Sequence, residues 1–187
     1  MSGITDFATQ AQALAAALLA STTDPADAVR VLANLADFTP SEPTLSSGVG
    51  DAMATMQAGC GALFRRVAVV ALCRASAQYQ PASLDDAVSI RTQVCNLLDA
   101  EILIAGNTGA DATFNALRVL RAAVVKDLTQ RGAKLASLKT ISTPSPIPAT
   151  VLAQRFYRDA GRADELVTEA DAVHPAFMPT SFQALSK

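Results

Sequence analysis

Phe114, Leu117, Leu120, Val124 and Leu128 recur at intervals of three and four residues. At 100° per residue they fall within ~120° of arc on a helix, whereas a strand would divide them between two faces. The spacing predicts a helix over residues 112–135 with one buried stripe. That stripe needs partners, and the rest of the sequence offers mainly alanine: half of the residues are apolar, only 5% are aromatic and tryptophan is absent. A core of small side chains requires closely approaching helices, so the composition favours a mainly α fold. With 187 residues, the chain fits one ordinary domain, or one domain with a small appendage.

Four helices are expected ahead of that one. The first covers residues 4–20, with Phe7, Leu14, Leu18 and neighbouring alanines on one face. "TTDPADAVRVLANLADF" then opens the second: Asp24 suits the cap, Pro25 the first helical position, and Asp27 the positive helix end. These two form an N-terminal pair over residues 1–38. "TPSEPTLSSGVG" (39–50) reads as a loop, because two prolines and two glycines sit among hydroxyl residues. A long helix follows over residues 51–78, where Gly59 and Gly61 mark either a kink or a close helix crossing. "QPAS" ends it, and Ser83 with Asp86 resembles a capping box for a helix over residues 84–105. With "GNTGAD" as the next break, residues 51–136 are expected to form an antiparallel three-helix bundle with short turns.

The texture changes at residue 137. "SLKTISTPSPIPAT" offers a β-prone piece, Leu138–Ser142, and then three prolines that exclude a continuing helix. Two short helical patterns follow, at residues 150–157 and 162–170, and residues 182–185 suit a closing strand. Residues 137–187 are therefore expected to be a small strand–helix–helix–strand module. The fold class that results is mainly α, a helical bundle followed by that module.

Few enzyme chemistries survive inspection. His174 is the single histidine, and it precedes Pro175 at a turn held extended, a poor place for a catalytic triad base. Cys60, Cys73 and Cys95 have no C-x-x-C spacing, which argues against a zinc site and a disulfide framework and for small buried hydrophobes. The carboxylate pairs Asp85/Asp86, Asp99/Glu101 and Asp164/Glu165 do not converge on one atom, since helical neighbours diverge by ~100° and residues two apart by ~160°. Asp85/Asp86 and Asp164/Glu165 fall in first helical turns, where the dipole favours them. Glycines occur singly, without a phosphate-binding pattern. The expectation is a non-enzymatic protein with no cofactor and no metal.

The net charge of −2 provides no overall attraction to nucleic acid or anionic lipid. Its distribution is uneven: residues 1–60 hold one basic against six acidic residues, and residues 61–140 ten basic against six acidic. Within the basic stretch Arg118, Arg121, Lys126, Arg131 and Lys134 are the candidates for contact with DNA phosphates. They scatter around their helix and have no interleaved aromatics for base stacking, so any such contact is weak and salt-dependent. "AQALAAALLAS" (11–21) lacks a basic leader and reads as an amphipathic helix. The longest unbroken apolar runs, residues 13–20 and 67–73, are far shorter than the ~18–20 residues that cross a bilayer. No membrane partner is expected, and the free thiols suit a reducing cytoplasm.

Three stretches carry a resemblance. "LAQRFYRDAGRADELVTEADAVHPAFMP", "ALRVLRAAVVKDLTQRGAKL" and "YQPASLDDAVSIRTQVCNLLDAEIL" are similar to the C-terminal half of the DNA circularisation proteins of Mu-like contractile-tailed phages and prophages. The similarity covers about residues 60–187 and is most specific in R-x-Y-x-D-A-x-R-A-D-E-L and the H-P-x-F-x-P exit. Members of that family also carry an N-terminal domain, so the chain is expected to be a C-terminal part or a shortened relative. The terminal module resembles a LysM-like βααβ unit. It departs from one where "EADAVHP" lacks the asparagine of the turn and "MPTSFQALS" lacks the glycine before the last strand.

What the resemblance implies is a virion tail component near the baseplate or hub, present in the host cytoplasm during assembly, with other tail proteins and copies of itself as partners. The family's traditional role is holding the ends of injected DNA. The departures from the LysM pattern weigh against peptidoglycan binding and for protein docking, with Tyr157, Arg162, His174, Phe177, Met178 and Phe182 as the docking candidates; Phe177, Met178 and Phe182 are expected either to cap the small core or to present an apolar contact to a neighbour. Tyr157 is expected to bury its ring and keep its hydroxyl in water, and Arg162 to bond around a helix start together with Asp164. Non-specific binding of DNA ends and peptidoglycan binding are the alternatives.

Overall fold

The 3.6-residue periodicity becomes five long helices in the computed structural model, which describes residues 2–41 and 47–186. In order they are α1 (Ser2–Ser21), α2 (Pro25–Ala36), α3 (Gly48–Gln78), α4 (Leu84–Asn107) and α5 (Asp111–Gly132). The terminal elements are β1 (Leu138–Ser142), α6 (Ala149–Tyr157), a 3-10 turn (Ala160–Arg162), α7 (Ala163–Glu169) and β2 (Ser181–Leu185). The fold is mainly α with a single two-stranded sheet among the described residues.

Local chemistry explains most boundaries. Asp24 Oδ1 accepts the Ala26 N–H at 2.8 Å with Pro25 in the first turn, which starts α2. Ser83 Oγ accepts the Asp86 N–H at 3.1 Å, and Asp86 Oδ2 accepts the Ala82 N–H at 3.0 Å, a reciprocal cap on α4. α3 begins earlier than expected. Gly48 and Gly50 join its first turn because Ser47 Oγ accepts the Gly50 N–H at 3.2 Å and Asp51 stands near the positive helix end. Of the expected loop at 39–50, residues 42–46 lie outside the described residues.

The chain divides into two units. The first comprises Met1–Gln80 with Val88–Gln130. Its core takes Ala15 from α1, Val29 and Leu32 from α2, Ala68, Val69 and Leu72 from α3, Val94 and Leu98 from α4, and Leu117, Val124 and Leu128 from α5. The N-terminal pair and the three long helices thus share one hydrophobic interior. Alanines at Ala28, Ala33 and Ala36 bring α2 so near α3 that their Cα atoms lie within 8 Å of one another along the interface. Small residues permit this approach.

The five-residue stripe of α5 faces that core, with Leu117, Val124 and Leu128 buried and Phe114 and Leu120 partly so. The stripe of α1 meets expectation in part: Ala11 and Ala15 are buried and Leu18 packs against the core, while Phe7 and Leu14 stand 43% and 48% exposed. Phe7 reaches only the edge of Phe64, with ring centroids 5.9 Å apart. Gly61, not Gly59, marks a close approach, but of a loop and not of a helix: a Cβ there would meet the ring of Pro40, in the segment between α2 and α3, at 3.0 Å.

The second unit comprises Pro81–Ala87 with Arg131–Lys187. β1 and β2 pair antiparallel, with Leu138 opposite Leu185 and Ser142 opposite Ser181. α6 and α7 pack beneath them through Leu152, Leu166, Met178, Phe182 and Ala184. The first turn of α4 and the end of α5 belong here too: the Leu84 N–H donates to the Ala136 carbonyl at 2.9 Å, and Asp85 Oδ2 accepts the Leu138 N–H at 2.5 Å. Asp85 thereby does structural work that its first-turn position alone did not suggest. Gly132 is buried so tightly that an added Cβ would lie 2.9 Å from Ala87 Cβ. Gly132→Ala is therefore expected to destabilise this unit by about 1–2 kcal/mol despite alanine's better helix propensity. Urea denaturation of the variant beside the parent chain measures it, and an unchanged midpoint would refute the close packing.

Candidate functional site

The chain between α7 and β2 is the part of the second unit that presents apolar side chains on a fixed frame. Its sequence, "DAVHPAFMP", contains no helix or strand, yet its backbone is tied down. The Pro175 carbonyl accepts the Ala149 N–H at 2.7 Å, the Met178 N–H donates to the Ile147 carbonyl at 3.4 Å, and the Phe177 N–H donates to the His174 carbonyl at 3.0 Å. His174 Nδ1 accepts the Ala176 N–H at 3.0 Å, which places the proton of the neutral ring on Nε2. Anchored in this way, the exit leaves Val173 fully exposed and Phe177 72% exposed. The His174 ring lies against Phe177 at 5.9 Å between centroids.

The six docking candidates therefore separate. His174 and Phe177 face solvent, whereas Met178 and Phe182 are core residues at 1% and 6% exposure. Met178 and Phe182 hold the frame and cannot themselves form a contact surface. Tyr157 is also buried, and its hydroxyl is not in water: it donates to the Leu185 carbonyl at 2.9 Å, joining α6 to β2. Burial and the neighbouring Glu165 push its phenol above the ordinary range. Arg162 stacks its guanidinium 3.8 Å from the Tyr157 ring centroid and pairs with both oxygens of Glu165, at 2.8 and 2.5 Å. Its partner is Glu165; Asp164 instead receives the Thr168 hydroxyl on its backbone carbonyl. Val173 went unnoticed in the sequence, although an apolar residue just before a His-Pro turn is a readable signal.

The DNA candidates are largely occupied. Arg121 makes a two-point pair with Asp99, at 2.6 and 2.9 Å, which holds its guanidinium above the usual range. Arg118 lies 5.5 Å from the Phe114 ring centroid, and Arg131 also has a partner. Lys126 and Lys134 form no ion pair among the described residues, and Lys126 belongs to the first unit while Lys134 belongs to the second. The five do not make one bonded array.

One charged cluster escaped the sequence reading altogether. Glu101 on α4 is only 2% exposed and accepts from Arg65 Nε at 3.2 Å and Arg66 Nε at 2.8 Å. Arg65 Nη1 also donates to the Phe38 carbonyl at 3.3 Å. The carboxylate neighbours Asp99 and Glu101 thus serve different partners on different helices. Two of the cysteines are buried, and burial beside Cys95 pushes the Cys73 thiol up to about 12. Such a thiol is inert at neutral pH. Among the described residues, no three His, Cys, Asp or Glu side chains gather into a metal-binding group.

α3 is long and apolar enough by length and composition to cross a bilayer, although its longest unbroken apolar run is short. It also carries the arginines that meet Glu101 and supplies Ala68, Val69, Leu72 and Ala75 to the interior of the first unit. Comparison with known proteins finds no matching family model and no matching curated protein.

Proposed function

We propose that the chain is a non-enzymatic structural part of a contractile phage or prophage tail, in the baseplate or hub region, and that its terminal module docks on neighbouring tail proteins. The observation that carries this reading is the exit loop, an apolar projection of Val173 and Phe177 held by four backbone and side-chain hydrogen bonds around residues 147–149 and 174–178. A projection fixed before binding loses little conformational entropy on docking, and an exposed aromatic is the residue type that anchors protein interfaces. The resemblance of the R-x-Y-x-D-A-x-R-A-D-E-L and H-P-x-F-x-P stretches to tail-associated proteins supports the same reading. The family's association with circularising injected DNA rests on less, since Arg118 and Arg121 are already engaged within the chain.

Co-sedimentation tests it. The chain should travel with purified contractile-tail particles at fixed stoichiometry. Val173→Asp combined with Phe177→Asp should abolish this without loss of helix signal, because both side chains point away from the module core. Absence from the particles would overturn the reading. So would micromolar binding to linear duplex near physiological salt with a steep salt slope, which would instead make this region the DNA-binding part.

A further inference from the structure

The N-terminal half of α3 carries an apolar seam that stands largely exposed among the described residues. Val49, Ala52, Met56, Gly59 and Leu63 follow a strict three–four–three–four spacing, the heptad pattern of a coiled-coil face. Val49 and Met56 are each 68% exposed, and Ala52 and Gly59 are exposed with them. Met56, Gly59, Cys60 and Leu63 line an open, almost wholly apolar groove of about 560 Å³ whose other wall is Gly3 and Phe7 of α1. The sizes along the seam alternate large, small, large, small, large: Val49, Ala52, Met56, Gly59, Leu63.

From this we infer that a second copy of the chain covers the seam, with the two α3 helices antiparallel about a two-fold axis between residues 57 and 58. That register sets Met56 over Gly59 of the partner subunit and Ala52 against Leu63 of the partner subunit, and the symmetry repeats both pairs. Met56 and Leu63 then each meet a small side chain, the interdigitation that close-packed interfaces require, while Val49 falls opposite position 66 at the end of the apolar seam. A parallel pair would stack Gly59 on its own equivalent and Met56 on its own, leaving a void beside a collision. Charge favours the same occupant. Asp51 is the sole charged residue between positions 48 and 64, so two identical faces meet with no like charges in the seam. The contact is isologous and closes as a dimer. It is independent of any role for the terminal module.

Sedimentation equilibrium on the full chain, whose monomer mass is 19.4 kDa, should give twice that mass at tens of micromolar. Met56→Glu, at an exposed position, should return it to monomer with unchanged helix content. Orientation is read by disulfide trapping in a Cys60→Ser background. Ala52→Cys with Leu63→Cys should form a covalent dimer on mild oxidation, while Met56→Cys alone should form far less. Within one helix positions 52 and 63 are ~16 Å apart, too far to bridge internally. A chain that stays monomeric at that concentration, a dimer indifferent to Met56→Glu, or preferential trapping by Met56→Cys would each overturn the inference.

Discussion

Glu101→Ala is expected to lower the melting temperature of the chain by roughly 6–12 °C, the shift that ~3 kcal/mol produces in a protein of this size. The carboxylate is almost fully enclosed and is the shared acceptor for Arg65 and Arg66. Removing one member of a buried ion pair generally costs about 3–5 kcal/mol, because the remaining charge has lost its partner without regaining water. Here the lower end applies, since the Arg65 and Arg66 side chains keep 18% and 32% exposure and can turn outward. Glu101→Gln should lose less, as one amide oxygen still accepts while the amide nitrogen faces the second guanidinium. Replacing all three with apolar residues of similar volume should restore most of the stability. Circular-dichroism melts separate these cases, and an alanine variant melting within a degree of the parent would show that Glu101 is not enclosed as described.

Leu166→Ala should act on the other unit and act more selectively. Leu166 is completely buried among Leu152, Met178 and Phe182, and removing three carbons from such a site costs about 2–5 kcal/mol. A core this small supplies only ~3–5 kcal/mol in all. The expected result is an unfolded terminal module beside intact long helices: rapid proteolysis within residues 143–180, retained resistance over residues 2–41, 47–80 and 88–130, and most of the helix signal preserved. Leu166→Met, which conserves volume, should behave like the parent. Uniform loss of structure in the alanine variant would mean that the two units do not unfold separately.

These effects bear on how far the sequence itself could be read. The stripe of α5, the Asp24–Pro25 start of α2, the Ser83–Asp86 cap and the bounds of β1 were all legible, because each depends on residues within one or two turns of one another. Glu101 was not. Periodicity within α4 says nothing about which side chain of α3 lies opposite, and only the crossing of the two helices puts that carboxylate beside Arg65 and Arg66. The Tyr157 hydroxyl was misjudged for the same reason, since its acceptor on Leu185 lies in a distant strand. In α1 the alanines and Leu18 turn inward as expected, but Phe7 and Leu14 of the same face stay half exposed, because the close contact is made by Ala11 and Ala15. For the exit loop, the H-P-x-F-x-P pattern located the segment, but which of its apolar residues point outward was decided by the hydrogen bonds to residues 147 and 149.

The pairing of Leu138 with Leu185 sets a timetable for synthesis. The five long helices are complete in the sequence by residue 132 and can collapse on one another as they emerge from the ribosome, before the terminal module is made. β1 leaves the exit tunnel soon after α5 but has no strand to pair with until residues 181–185 follow. During that interval α6 and α7 have no closed sheet to pack against, and the apolar faces of Leu152 and Leu166 stand open to passing chains. Translation pausing in this stretch, or chaperone binding during it, would therefore govern the yield of folded terminal module far more than that of the helical unit.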